Sequence, residues 1–388
     1  MSTEPKRPRA RDIGIVIGEL LKPGKLNSIT DVPRVKVGTA QKIAGNLSSK
    51  DEEERKKIVR AGVTIIGTDD IEQVPLYAGV GILQGSGELT GSIFIKEGGE
   101  LTCPIAISGT MHTGRVYDAI NGINPLRIQL PVVGETYDRM THPLSHSEVS
   151  MPDLVSEAVA NMSSESVQEG NVGGGTGMVS FGLKGGTGSS SRIVPGLNGT
   201  SYTVGVLVQA NHGSPYDLVI GGKPVGKILD EEGYTAPWFP THDAQVKQLQ
   251  DGEGRQHLSI IVIVATDAPL LPHQCSAVAR RAGVGISRGG GGNHFFSGDI
   301  FLCFSTARPE TPRVAPTYET RVQPITTFTV NAVHNETLDF MFRAAADATE
   351  EAVLNALFAA DDLEGYTGRK WRSLPVDRVR EIVQQSRS

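Results

Sequence analysis

A serine stands at the head of a strongly apolar run, Ser259 to Ala265 (SIIVIVA), inside the stretch HLSIIVIVATDAPLLPHQ. The run is short, β-branched and bounded by polar or proline-bearing sequence, the pattern of a strand buried on both faces. In front of it lies a loose polar segment, Asp230 to His257, with Pro237, Pro240 and several charges. Such a segment reads as an exposed processing loop. Two roles fit a hydroxyl at this junction. It is a capping or strand-edge residue, the commoner role on local features alone, or it is a nucleophile freed when the backbone breaks in front of it. In the second case Ser259 becomes a new N-terminus.

Other chemistry-bearing motifs lead elsewhere. NVGGGTG and GGTGSSSR resemble phosphate loops, but the first lacks dinucleotide spacing and the Lys-Ser/Thr of a Walker loop. Tight turns lining a pocket are the better reading. His142 and His146 (HPLSH) have helical ligand spacing, yet no glutamate follows the first and Pro143 marks a turn, so catalytic zinc finds little support.

Composition bounds the remaining choices. A chain of 388 residues can bury one large core or two ordinary ones. Its net charge of −6 is spread without single-sign blocks, which points to neither nucleic acid nor an anionic membrane as partner. Residues 1–12 (MSTEPKRPRARD) are basic and proline-containing with no apolar segment behind them, so they read as a flexible arm rather than a signal peptide. No apolar run approaches membrane-spanning length. Cys103, Cys275 and Cys303 lie in apolar surroundings and read as core thiols of a reducing, cytoplasmic compartment.

The elements that must position any site are mixed. The 46 glycines punctuate short apolar runs, as in a sheet-rich protein. Strands are expected at Ile29 to Val37, Val63 to Ile66, Ile105 to Ser108, Tyr202 to Gln209 and Asp299 to Ser305. Ala78 to Leu83 and Leu89 to Ile95 read as a hairpin pair. Around Pro131 to Asp138 (PVVGETYD) a strand ends abruptly in polar residues. Helices are expected at His112 to Ile120, Met151 to Asn161, Pro272 to Ala282, Glu336 to Ala359 with Asn335 as N-cap, and Pro375 to Val383. The class is α+β, with sheets covered by helices.

LNSITDVPRVKVG, AGVGILQGSGELTG, LTCPIAISGTMHTGRVYDAI, PVVGETYD, EGNVGGGTGM, GVLVQAN, SIIVIVATDAPLLPHQ and SGDIFLCFST follow one another in this order. Together they make the chain resemble the DmpA-type family, the L-aminopeptidase D-esterase / β-peptidyl aminopeptidase group, from Ala10 to Val383. The resemblance implies an αββα four-layer sandwich of the DmpA/ornithine-acetyltransferase-like type. It implies one catalytic domain, 13–388, that cuts itself before Ser259 into an α chain (13–258) and a β chain (259–388), which stay together in a homotetramer of αβ units. It also implies a serine aminopeptidase that removes an L-, D- or β-amino residue from short peptides, amides or esters, with no metal or cofactor.

Carried over residue by residue, the resemblance places the nucleophile on Ser259, a helper hydroxyl on Ser297 and a carboxylate on Asp299. It places an oxyanion donor on Asn211 and substrate contacts on Glu135 and Tyr137. The physical chemistry is compatible. A terminal α-amine has a reference pKa of about 8, so the amine of a freed Ser259 can act as a base near neutrality. Glu135 can pair with a substrate ammonium and so enforce removal of terminal residues. Either the amine or the Ser297–Asp299 pair can take the proton. One residue departs from the family pattern: Leu258 stands where glycine or asparagine is usual, and its Cβ tolerates a strained peptide less readily. Two alternatives follow, an uncleaved and silent binding or assembly protein, and an acyltransferase of the ornithine-acetyltransferase type, which uses threonine where Ser259 stands.

Overall fold

The computed structural model describes residues 7–123, 130–143, 149–235, 258–307, 325 and 327–385. In chain order its main strands are β1 (Lys36–Ala44), β2 (Val59–Gly67), β3 (Leu76–Gly85), β4 (Glu100–Leu101), β5 (Ile105–Gly109), β6 (Val132–Thr136), β7 (Val179–Ser180), β8 (Leu183–Lys184), β9 (Gly186–Pro195), β10 (Ser201–Asn211), β11 (Ser259–Thr266) and β12 (Gly298–Ser305). One sheet has the order β1-β2-β5-β6 and the other β4-β3-β12-β11-β10-β9. Helices α1 (Thr113–Ile123) and α2 (Met151–Ala160) cover the first sheet. Helices α3 (Pro272–Ala279), α4 (Ala282–Arg288), α5 (Asp339–Ala359) and α6 (Val376–Gln384) cover the second. The layers run α-β-β-α, as the family resemblance implied.

β11 shows why. Ile260, Val262 and Val264 turn toward the helices, while Ile261, Ile263 and Ala265 turn toward the other sheet. Period-two alternation with apolar residues on both sides demands cover on both faces. Each fully buried aliphatic chain contributes roughly 1.5–3 kcal/mol, so this strand anchors two cores at once. β6 lies across from it, and a Cβ at Gly134 would sit 3.1 Å from the Ile261 side chain. The glycine lets the polar end of β6 approach the head of β11.

Several local expectations change. Leu89 to Ile95 is not the second strand of a hairpin: Ser92–Gly98 is a helix, stopped by Gly99 at φ +71°. Leu89 keeps only an isolated bridge to Gly134. Ile29–Asp31 is a 3-10 turn, and the strand expected there begins only at Lys36. Asn335 opens a 3-10 turn before α5 instead of capping it; its side chain accepts a hydrogen bond from Gln274 Nε2 at 2.8 Å. Residues 236–257 of the expected processing loop lie outside the described residues. The three cysteines are buried and free.

The described part of the N-terminal arm, from Arg7 onward, is anchored. Arg7 donates to the Phe358 and Leu374 carbonyls at 2.8 and 2.6 Å, and Arg9 reaches Ser189 O at 2.6 Å and pairs with Glu169 at 2.9 Å. Side-chain donors meeting carbonyls outweigh the basic, proline-rich composition that suggested a free tail. The arm ends on a buried charge cluster in which Glu351 accepts from Arg192 at 2.7 Å, Arg11 at 2.8 Å and Asn27 at 2.5 Å. Burial pushes the Glu351 carboxyl up, but these donors outweigh it and hold the pKa below the usual range.

Removing one member of such a cluster leaves the others buried and unpaired. The Glu351→Ala variant is predicted to lose about 3–5 kcal/mol in urea unfolding. Because the folded pKa is depressed, the parent's advantage is present above the unfolded carboxyl pKa and disappears as pH falls through the folded value. Unfolding curves at several pH values check both expectations.

Candidate active site

Register assembles the site. β10 and β11 pair antiparallel with Asn211 opposite Ser259, and β11 and β12 pair parallel with Ser259 opposite Gly298. One strand ends where two begin, so three distant segments meet at one edge of the larger sheet. Alternation then sorts their side chains. Ser259 and Asn211 share the inter-sheet face with Ile261 and Leu207, whereas Asp299 shares the helix-side face with Ile260 and Phe301.

Ser259 is only 3% exposed. The backbone N–H of Gly298 donates to Ser259 Oγ at 3.3 Å and to the Leu258 carbonyl oxygen at 3.1 Å. One donor therefore touches both the hydroxyl and the carbonyl immediately before it. Leu258 is buried and is not among the residues with positive φ, so its Cβ meets no backbone strain here.

Ser297 Oγ donates to Asp299 Oδ1 at 2.5 Å. The second oxygen, Oδ2, is buried with no hydrogen-bond partner among the described residues. Burial raises the Asp299 pKa to about 6, against smaller opposing effects of Ser297 and His294. Asn211 is held at both ends: Oδ1 accepts from Val179 N at 2.8 Å and Nδ2 donates to the Tyr137 carbonyl at 3.0 Å. Among the described residues these two are its side-chain bonds, which leave one amide hydrogen over. Tyr137 follows β6 and meets the Ser259 edge through that carbonyl, while its phenol is engaged by Arg139.

Glu135 lies near the end of β6. Its Oε1 accepts from Glu88 N at 3.0 Å and its other oxygen accepts from Thr110 Oγ1. Burial raises its pKa, although both hydrogen bonds favour the charged form. The loop from Gly85 to Glu88 links this carboxylate to the serines, since Ser86 N donates to Ser297 O at 3.2 Å. Gly87 and Gly298 stack backbone to backbone: a Cβ on Gly298 would lie 2.7 Å from Gly87 Cα.

Ser259, Asn211, Ser297 and Asp299 thus meet at this edge, Glu135 is linked to it through the Gly85–Glu88 loop, and Tyr137 reaches it by its backbone carbonyl rather than its phenol. The sequence reading missed Gly298, Thr110 and the Gly87–Glu88 loop. The glycine between Ser297 and Asp299 was visible, but a backbone donor carries no side-chain signal. The other motifs lie elsewhere. GGGTG is a buried 3-10 turn, Gly173–Gly177, whose Gly175 carbonyl accepts from Lys184 Nζ at 3.1 Å. His142 is buried, its Nδ1 accepting from Arg60 N at 3.2 Å, and His146 lies outside the described residues.

The model of peptidase family S58 matches residues 27–371. The chain belongs to peptidase family S58. It is 39% identical to the β-peptidyl aminopeptidase BapA of Sphingosinicella microcystinivorans, over 98% of this chain and 93% of that one. With BapA of Sphingosinicella xenopeptidilytica the identity is 36%, over 97% and 91%. The solved β-aminopeptidase of a Burkholderia species is 38% identical and superposes with a TM-score of 0.80, covering 97% of this chain and 99% of the other. The L-aminopeptidase D-Ala-esterase/amidase of Ochrobactrum anthropi, described as a prototype of the serine aminopeptidases and a variant of the Ntn-hydrolase fold, gives 38% and 0.81, covering 98% and 99%. This S58 member is a serine-type N-terminal-nucleophile aminopeptidase/amidase with that fold. The silent-binder and acyltransferase alternatives draw no support from these matches. Among the described residues no helix is long and apolar enough to cross a membrane.

The stacking of Gly87 on Gly298 leaves no room for a methyl group. Gly298→Ala is predicted to cost about 1–3 kcal/mol of stability and to remove most peptidase activity, because the N–H shared by Leu258 O and Ser259 Oγ must move. Thermal melts paired with p-nitroanilide assays test it; a fully active, equally stable variant would contradict the geometry.

Proposed function

We propose that the chain cuts itself between Leu258 and Ser259 and then uses Ser259 to remove the N-terminal residue from short peptides, amino-acid amides or esters. The observation that carries this reading is the Gly298 N–H, which contacts the Leu258 carbonyl oxygen and Ser259 Oγ together. In the cut, Oγ attacks the Leu258 carbonyl carbon and charge gathers on an oxygen already hydrogen-bonded. The C–N bond breaks, the nitrogen takes the proton as the new α-amine, and water then hydrolyses the Leu258 ester.

In turnover the same hydroxyl attacks the substrate carbonyl. Gly298 N–H and the remaining Asn211 amide hydrogen serve the oxyanion, a role whose loss typically costs about 10²–10³ in rate. The Ser259 amine is one proton acceptor. Asp299, turned to the opposite face of the sheet, acts through Ser297 to orient that amine and stabilise its charged form. Glu135 receives the substrate ammonium, fixed beforehand by Glu88 N–H and Thr110. Tyr137 contributes as an anchor, its carbonyl setting the rotamer of Asn211. Leaving amine or alcohol takes the proton, and water releases the acyl group. Because three of the relatives carry β-aminopeptidase names, N-terminal β-amino residues are the proposed preference, ahead of L- and D-α residues. The α and β chains remain together, as an αβ unit assembled into a tetramer.

A panel of β-homo, L- and D-aminoacyl p-nitroanilides tests the preference; turnover confined to α residues would refute it. On denaturing gels the parent is expected as two fragments and Ser259→Ala as one intact band without activity. Leu258→Gly is expected to cut at a rate close to the parent's, since Leu258 needs no positive φ; a large acceleration would show that the leucine does hinder the cut. The pH dependence has a defined sign. Protonation of Asp299 near pH 6 is expected to lower kcat/KM on the acid side, and Asp299→Asn to abolish that limb. Protonation of Glu135, whose pKa is raised, is expected to increase KM as pH falls.

A further inference from the structure

The segment that delivers Ser297 is Gly289 to Phe296 (GGGGNHFF), in which Gly290 and Gly292 take φ of +100° and +87°. A run this rich in glycine loses much conformational freedom when ordered. The turn nevertheless must hold a hydroxyl and a carboxylate at one place beside Ser259. The His294 side chain reaches across from it to another element. Its carbonyl accepts the Ser297 N–H at 2.9 Å. Its ring nitrogen Nε2 lies 3.2 Å from Ser214 Oγ and 3.4 Å from Asp217 Oδ2. Ser214 and Asp217 flank the 3-10 turn that follows shortly after Asn211, the last residue of β10. One residue therefore joins the strand end carrying Asn211 to the turn carrying Ser297.

We infer that His294 is a positioning residue, one that holds Ser297 and Asp299 in register with Ser259 by tying their turn to the end of β10, and that acts electrostatically on the Asp299 carboxyl. This rests on the reading of Ser297 and Asp299 as the pair that serves Ser259. The groups facing the ring divide clearly. Asp217 Oδ2 lies 3.4 Å from Nε2, and Asp299 is within the electrostatic reach of the ring. His212, the residue after β10, is buried with neither ring nitrogen partnered among the described residues, and burial pushes its pKa down to about 3, so it stays neutral. The field of His294 on Asp299 opposes the upward push of burial. The ring also tethers the turn through Ser214 and Asp217.

Two variants separate tether from charge. His294→Gln keeps an amide able to reach Ser214 and Asp217 but carries no charge; His294→Ala removes both. With β-homo or L-aminoacyl p-nitroanilides, His294→Ala is expected to lower kcat about tenfold or more with KM within about twofold, the pattern of a lost positioning contact. His294→Gln is expected to recover most of kcat while the acid limb of kcat/KM moves up, by roughly a few tenths of a pH unit or more, because Asp299 has lost a neighbouring cation. Melting curves establish that both variants are folded. NMR titration of the Asp299 carboxyl in the parent and in His294→Gln gives a reading that needs no turnover. An unmoved carboxyl titration, or a His294→Ala variant with the parent's kcat and acid limb, overturns the inference. Activity surviving in Ser259→Ala would instead overturn the proposed function, and the carboxyl titration would still decide the role of His294.

Discussion

The site depends on one ladder hydrogen bond between parallel strands. Gly298 N–H reaches the Leu258 carbonyl because β11 and β12 pair in a register that puts Ser259 opposite Gly298. The same pairing brings Ser259 Oγ within reach of that N–H. A slip of one residue would turn Ser259 toward the helices and Ile260 toward the other sheet. Both faces of β11 are packed with aliphatic side chains, so the hydrophobic cores enforce the register that the chemistry needs.

Burial also sets the electrostatics. Asp299 and Glu135 are both carboxyl groups raised by desolvation, but their surroundings differ. Both Glu135 oxygens are hydrogen-bonded, which suits a fixed receptor for an ammonium group. Asp299 has one oxygen on Ser297 and one buried without a partner among the described residues, which leaves an acceptor in reserve. The same distance from water yields two jobs because the donors around each group are different.

The N-terminal segment gains meaning from the break proposed before Ser259. Arg7, Arg9 and Arg11 belong to the part of the chain before the break, and Phe358, Leu374 and Glu351, which Arg7 and Arg11 reach, belong to the part after it. β10 and β11 also come from opposite sides, yet they share a full antiparallel ladder. Interrupting one peptide bond therefore leaves most cross-connections in place.

The fold class and the central strand were legible because hydrophobic alternation is local: SIIVIVA carries its own two-faced pattern, and PHQCSAVA announces its helix with proline at the first turn. Leu89 to Ile95 misled because short apolar runs suit strand and helix alike, and the choice fell to packing against β3. The family motifs pointed to Ser259, Asn211, Ser297, Asp299, Glu135 and Tyr137 by residue type. The chain by itself determined which hydroxyls, amides and carboxyls are available and which strands must be buried. Tertiary structure alone decided that Gly298 supplies the shared N–H, that Gly87 must stack on it, that Thr110 and Glu88 hold Glu135, and that His294 bridges to Asp217. The physical reason is that backbone donors and long-range contacts depend on register and sheet stacking, which join segments far apart in the chain and leave no mark in any local window.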